Sequence, residues 1–379
     1  MALISASCQN SKYLDKVIMA SNKNQHYVPQ CYLKNFSVDA SKASICLYNM
    51  DRKKVVKVAP IKNQCSKNYF YGEDLELEKA LQPIEGHFSA MVRTIEKPSY
   101  VLNDKDQAFL KHFWLLQYLR TEAASRRNVE LSEGMHQFTG VTELKLGIKD
   151  AVQHSMRSFS EIKHVVSDLK VCLVKNNTHT DFITSDDPAV LTNRWHLLDK
   201  RAELQSFGLS SAGCLLFLPL SPKILMVAYD NDVYSIPHKN GWVRIKNPSD
   251  IDSFNYLQAL NCQANLYAHR VDIEIYFKHV HKQVENIKPE RRHKIIYAIL
   301  NEEQNGTKIF KVIDSPETKE HTEALMHCQP IYVAPPTWPR IIKWRPKGFV
   351  TTNDTGIGFI RLPRVQEMDT KGFYKLRIR

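Results

Sequence analysis

Apolar residues recur along this chain at two different periods, and the change between them divides it. Residues 26–36 (HYVPQCYLKNF) open extended, because Pro29 holds Val28 in the β/polyproline region, and aromatic and aliphatic residues then follow closely enough to be buried. Two runs, 44–50 (SICLYNM) and 53–60 (KKVVKVAP), surround Asp51-Arg52 and predict a β-hairpin with a polar turn, which YFY at 69–71 is placed to extend or cap. Leu77, Leu81, Ile84, Phe88, Met91 and Ile95 fall at helical spacing, with Pro83 positioned to kink that helix. A second helix is predicted over 104–127 with Asp104 as its cap, and a further helical stretch over 141–168. From 169 the pattern changes to short β-like runs at 169–174, 182–185, 189–192, 214–220 and 224–229, separated by Pro and Asp turns. Residues 248–269 return to the helical period, with Ser249 or Asp250 near the cap. This order predicts an α+β fold: a small N-terminal β-hairpin, a central helical bundle, an antiparallel or mixed sheet, and a basic C-terminal segment.

Composition narrows the class. With 43% apolar and 24% charged residues over 379 positions, the chain has material for a core and is neither wholly disordered, collagen-like nor a coiled-coil rod. No run approaches the ~18 uncharged apolar residues of a membrane span. The opening MALISASCQNSKYLDKV lacks a basic region followed by a sustained apolar core, which argues against a secretory signal. Met19 precedes a more convincing opening, so residues 1–23 are expected to be a disordered leader, 24–285 an α+β domain, and 286–379 a basic extension. The eight cysteines form no CxxC pair, and several lie in apolar runs, which points to reduced thiols in a cytoplasmic protein.

Charge adds a partner class. Lys and Arg number 52 against 40 Asp and Glu, a net +12, which favours polyanions such as nucleic acid or else describes a solvated basic surface. Residues 337–379 hold ten Lys and Arg against three Asp and Glu, about +7 of that total, interleaved with aromatics. Such a mixture can track phosphates and stack bases, with Arg340, Lys343, Trp344, Arg345 and Lys347 as the contact candidates; otherwise it is a basic tail wrapped on the domain.

Walker A, GxSxG and HExxH motifs are absent, and GIGF at 356–359 lacks the strand–helix surroundings of a dinucleotide loop. Five short pieces in order do resemble a known family: NQHYVPQCYLKNF (24–36), LEKALQPIE (77–85), LLQYLRT (115–121), FITSDDPAV (182–190) and FLPLSPK (217–223). They are similar to the domain of unknown function 4238 family, a microbial set opening with His-Tyr-Val-Pro, and 255–270 looks like its later Asn- and Ala-containing helix. Cys31 stands where the family pattern has an aromatic, and the likeness does not extend past 285. The resemblance implies boundaries and candidate positions, but no reaction.

The chemistry must then come from the residues. Gln117 and Arg120 share one face of the second helix with Phe113 and Leu110, so a polar pair interrupts an inward stripe. A buried guanidinium needs a carboxylate or bound anion, and Glu85, Glu78 and Asp186 are the candidates in that order. Asp186-Asp187-Pro188 follows a β-like run, a place for a metal ligand or general base and equally for a turn. His26 is similar to the water-activating His of His-Asn-His nucleases, or is a packed residue; His279 and His281 alternate on a possible strand. Two functions are expected. One is a nuclease in which Asp186 with Glu85 or Glu78 holds Mg2+ or Mn2+, His26 is general base, Arg120 stabilises phosphate and Gln117 orients water or substrate. The other is a non-catalytic nucleic-acid-binding or regulatory module whose polar cluster is structural.

Overall fold

The computed structural model describes residues 23–139, 145–203, 205–304, 306–313, 323–368 and 371–378. Apart from Lys23, the expected leader lies outside them. A short strand, Asn24–His26, pairs antiparallel with Ser66–Asn68, and between them the hairpin forms as β1 (Ser44–Asn49) and β2 (Lys54–Pro60). Four helices follow: α1 (Glu76–Ile95), α2 (Asp104–Arg120), α3 (Glu122–Thr139) and α4 (Ile148–Ile162). Next come β3 (Lys170–Asn176), β4 (Thr184–Ser185), β5 (Val190–Thr192), β6 (Leu215–Ser221), β7 (Ile224–Tyr229) and β8 (Trp242–Ile245). Helix α5 (Pro248–Asn261), strand β9 (Asn265–Ala268) and α6 (Glu274–Val284) end the family-like region. Beyond it run β10 (His293–Gln304), β11 (Thr307–Ile313), β12 (Ala324–Pro330), β13 (Phe349–Thr352) and β14 (Tyr374–Arg377). The fold class is α+β.

The central sheet has the order β8-β3-β7-β6-β5, antiparallel throughout except for the parallel pair of β8 and β3. Every residue of β6 and β7 is buried, because both faces of this sheet are covered. Leu216, Leu218 and Leu220 of β6 face the α1–α2 layer, where Phe88 and Phe113 stack with centroids 3.9 Å apart. Trp114 ties that layer down by donating its indole N–H to Phe217 O at 3.0 Å. Leu215 and Phe217 face the other way, onto Phe254 of α5 and onto Ile342, Val350, Phe359 and Ile378. The segment after 285 is thus no appended tail where it supplies these four side chains: its apolar positions complete one face of the central sheet.

Two predicted helices end earlier than their apolar period suggests. The helix expected over 104–127 breaks at Thr121, which is extended (φ −72°, ψ 159°). Its hydroxyl accepts the N–H of Ala124, capping α3, and donates to Asp187. The helix expected over 248–269 stops at Asn261, because residues 265–268 pair with β1 and, through Leu266 and Tyr267, with β4. The second sheet is therefore β2-β1-β9-β4, built from segments more than 200 residues apart. His279 and His281 lie on helix α6, not a strand, and each meets a tyrosine hydroxyl, Tyr256 and Tyr48 respectively. Asn103 rather than Asp104 caps α2, and Asn247 caps α5 with Pro248 at its first position.

Candidate functional site

Polar side chains concentrate where the His-Tyr-Val-Pro opening passes between the end of α2 and the loop after β4. Arg120, the last residue of α2, is fully buried. Its Nε donates to Tyr71 Oη at 2.8 Å, and its Nη2 donates to His26 O at 2.8 Å and meets Glu85 Oε1 at 2.9 Å. Burial pulls the guanidinium pKa down, but Tyr71 and Glu85 outweigh it and hold the pKa above its usual value. Gln117, one turn back, donates to Tyr27 O at 2.9 Å. The two residues expected on one inward face thus both grip the main chain of the opening segment, and Glu85, the first-ranked partner, carries the ion pair.

Glu78, two turns before Glu85 on α1, has its carboxyl pKa raised by burial and by Glu85. Its Oε2, Gln117 Oε1 and Arg120 Nη1 are buried without a hydrogen-bond partner among the described residues. His26 is buried, with its Nε2–H directed at Lys62 O at 3.2 Å; burial first, and the Arg120 charge further, lower its pKa, so the ring is neutral near pH 7.

Asp186 does different work. Its carboxylate accepts the N–H groups of Gln263, Ala264 and Asn265 at 2.8, 2.8 and 2.9 Å, which turns the chain from α5 into β9. Burial pushes its pKa up to about 6 against the pull of those donors. It backs a cavity of about 310 Å3 shared with Tyr27, Glu122, Arg126 and Gln263. Among the described residues no group of three or more His, Cys, Asp or Glu side chains converges to hold a metal. The lone pairs of Asp186 point at main-chain N–H groups, and Glu85 is committed to Arg120.

Asp187, read from the sequence only as a neighbour of Asp186, is the hub of a second cluster. It accepts from Thr121 Oγ1 at 2.9 Å and from Arg127 Nη1 at 2.6 Å, and its main-chain carbonyl accepts from Asn261 Nδ2 at 2.6 Å. Arg127 packs over the ring of Tyr118 at 5.3 Å. No sequence signal marks Arg127, because it lies beyond a helix break that the apolar period does not show.

The proposed nucleic-acid contacts lie elsewhere. Arg340, Lys343, Arg345 and Lys347 are exposed, although Arg340 Nη2 approaches Asp250 at 3.3 Å. Trp344 is half-buried, stacked on Tyr234 at 5.5 Å with Arg194 5.0 Å from its ring centre. In β14, Leu376 packs inward while Lys375 and Arg377 point out, as strand alternation requires.

The fold and these clusters define an α+β protein whose N-terminal opening is clamped by the buried side chains of Arg120 and Gln117. A family model described as protein of unknown function (DUF4238) matches residues 24–272, and the chain belongs to that family. No curated protein and no solved structure matches it. Among the described residues no helix is long and apolar enough to cross a membrane.

Proposed function

We propose that this protein is a non-catalytic nucleic-acid-binding module that presents a cationic face on its C-terminal segment. The observation carrying this reading is the separation of roles within residues 337–378. Ile342, Val350, Phe359 and Ile378 are consumed by the core, while Lys343, Arg345, Lys347, Lys375 and Arg377 remain exposed on the scaffold they build. Fixed cations of this kind neutralise phosphates without base specificity. The Arg120 and Asp186 clusters are then structural, consistent with side chains whose partners are the protein's own main chain.

The test is fluorescence anisotropy with mixed-sequence single-stranded RNA and DNA over a salt series. Neutralising Lys343, Arg345 and Lys347 together to Gln is expected to lower the slope of log K against log salt by about 2, given roughly 0.7 counterions released per phosphate contact. A folded triple variant with unchanged affinity and slope would remove this face from the account.

A hydrolase reading has one observation in its favour: the unpartnered Glu78 Oε2, Gln117 Oε1 and Arg120 Nη1 beside His26. In it, Glu78 would supply a ligand for Mg2+ or Mn2+ and His26 would take the proton of water. Incubating the same oligonucleotides with each ion separates the two. Cleavage that needs the ion and is lost in Glu78→Gln supports the hydrolase, and intact oligonucleotide throughout supports the module.

A further inference from the structure

A charge imbalance lies beside the Asp187 cluster, on the far side of Arg127. A cavity of about 630 Å3 opens between α3, α4 and the chain around 292–293 and 330–332. That volume suits a small organic ligand. Its wall holds Arg127 and Arg292 and, among the described residues, no Asp or Glu. Arg127 is neutralised from behind by Asp187. Arg292 makes no ion pair among the described residues: its Nη2 donates to the carbonyls of Asn261 and Cys262, at 2.8 and 3.2 Å, at the C-terminal end of α5, and the Asp187 charge acts on it only from a distance. Burial, and then the charge of Arg127, push its pKa down, so the folded protein bears a cost for keeping this cation. The rest of the wall says what accompanies the charge. Leu119, Leu131, Leu146 and Ile331 are apolar. The hydroxyls of Ser132, Ser155 and Ser158 are spent on the main-chain carbonyls of Val129, Ala151 and His154.

We infer that this cavity binds an amphiphilic organic anion, an apolar chain or ring bearing one carboxylate or phosphate-monoester head, with the head between Arg127 and Arg292. The site is assembled from two sources. Tyr118, Leu119 and Asn261 come from the family-matched region, whereas Arg292, Ile331 and Tyr332 come from the segment after it. That later segment therefore sets which anion fits, and the site is separate from the exposed cationic face.

Isothermal titration of the full chain with decanoate, decyl phosphate, 1-decanol, AMP and inorganic phosphate tests this. Both decyl anions are expected to bind, with decanol, AMP and phosphate roughly tenfold weaker or more. Arg292→Gln, which deprives no carboxylate of a partner, should weaken both anions by roughly tenfold or more and leave decanol unchanged. Ser158→Phe fills the cavity without altering charge and should abolish binding of all three decyl compounds. Equal affinity for decanol and decanoate, or decyl-anion binding untouched in either folded variant, overturns the proposal. So does the absence of decyl-anion binding to the wild-type protein. If one variant fails to fold, the other decides.

Discussion

Arg120 and Arg127 are two buried guanidinium groups held on consecutive helices, and they differ in how far each partner is committed. Asp187 is fully buried and serves both Arg127 and Thr121, whereas Glu85 is 26% exposed. Removing one side of a buried pair leaves the other uncompensated, so Asp187→Ala is expected to cost about 3–5 kcal/mol, and Arg120→Ala a similar amount. Glu85→Gln retains a hydrogen-bond acceptor and has solvent beside it, and should cost about 1 kcal/mol. Urea denaturation at pH 7 checks all three, and an order in which Glu85→Gln is the most damaging would contradict this account. Titration adds a residue-scale signature. Burial pushes the pKa of His196 down to about 4, so its neutral form belongs to the folded state. A depressed folded pKa means stability that is complete above the unfolded value near 6.5 and is lost as pH falls towards 4. The stability advantage of wild type over His196→Asn should therefore shrink between pH 7 and pH 4, read as the difference in thermal midpoint; a difference that stays constant would exclude the mechanism. The raised carboxyls of Asp186 and Asp230, both at about 6, act oppositely, and their contribution fades as pH rises from about 4 through 6.

Among the elements, turns with little conformational latitude hold the layers in register. Gly241 sits at φ +80° in the turn before β8, and a Cβ there would lie 2.5 Å from Leu102 Cβ at the end of the α1–α2 connection. Gly241→Ala should lower stability by about 2 kcal/mol or more, from left-handed strain together with the clash, and equilibrium unfolding in urea would show it. A loss below about 0.5 kcal/mol would mean that the connection yields freely. The same scale shows where sequence reading succeeds. The hairpin, α1 and all five β-like runs were legible because apolar period and turn residues are local properties. The ends of α2 and α5 were not, because both are set from a distance. Thr121 leaves the helix to meet Asp187, 66 positions away, and Asp186 receives main-chain N–H groups 77 to 79 positions away. The pairing of Arg120 with Glu85 was legible because an inward cation demands an anion and the adjacent helix offered one. Arg127 and Arg292 were not: Arg127 meets Asp187 across a helix break the apolar period does not show, and Arg292 is notable for the ion-pair partner its side chain lacks in space among the described residues.

For the molecule as a whole, the C-terminal segment completes the cover that α5 begins on the second face of the central sheet. Ile342, Val350, Phe359 and Ile378 are all buried against it, and Arg361 is locked to Asp168 at 2.7 Å. A chain ending at 336 would bare part of that face, so it is expected to aggregate or lose its cooperative melt rather than remain a soluble core lacking only nucleic-acid affinity. A monodisperse truncation with a wild-type thermal midpoint would refute this. Basic composition made the segment look like an extension; the positions of its isolated apolar residues, which carry no strong period, are what join it to the core.

Strand β1 gains one of its neighbours late. Its partner β9 ends at Ala268, so during synthesis at 5–20 residues per second Ser44–Asn49 waits roughly 10–40 s with an open edge. Ile378 joins the opposite layer later still. The nascent chain thus cannot bank its folding domain by domain as it leaves the ribosome. The open β1 edge is an aggregation hazard over that interval, and slowing elongation is expected to lengthen the exposure rather than assist folding.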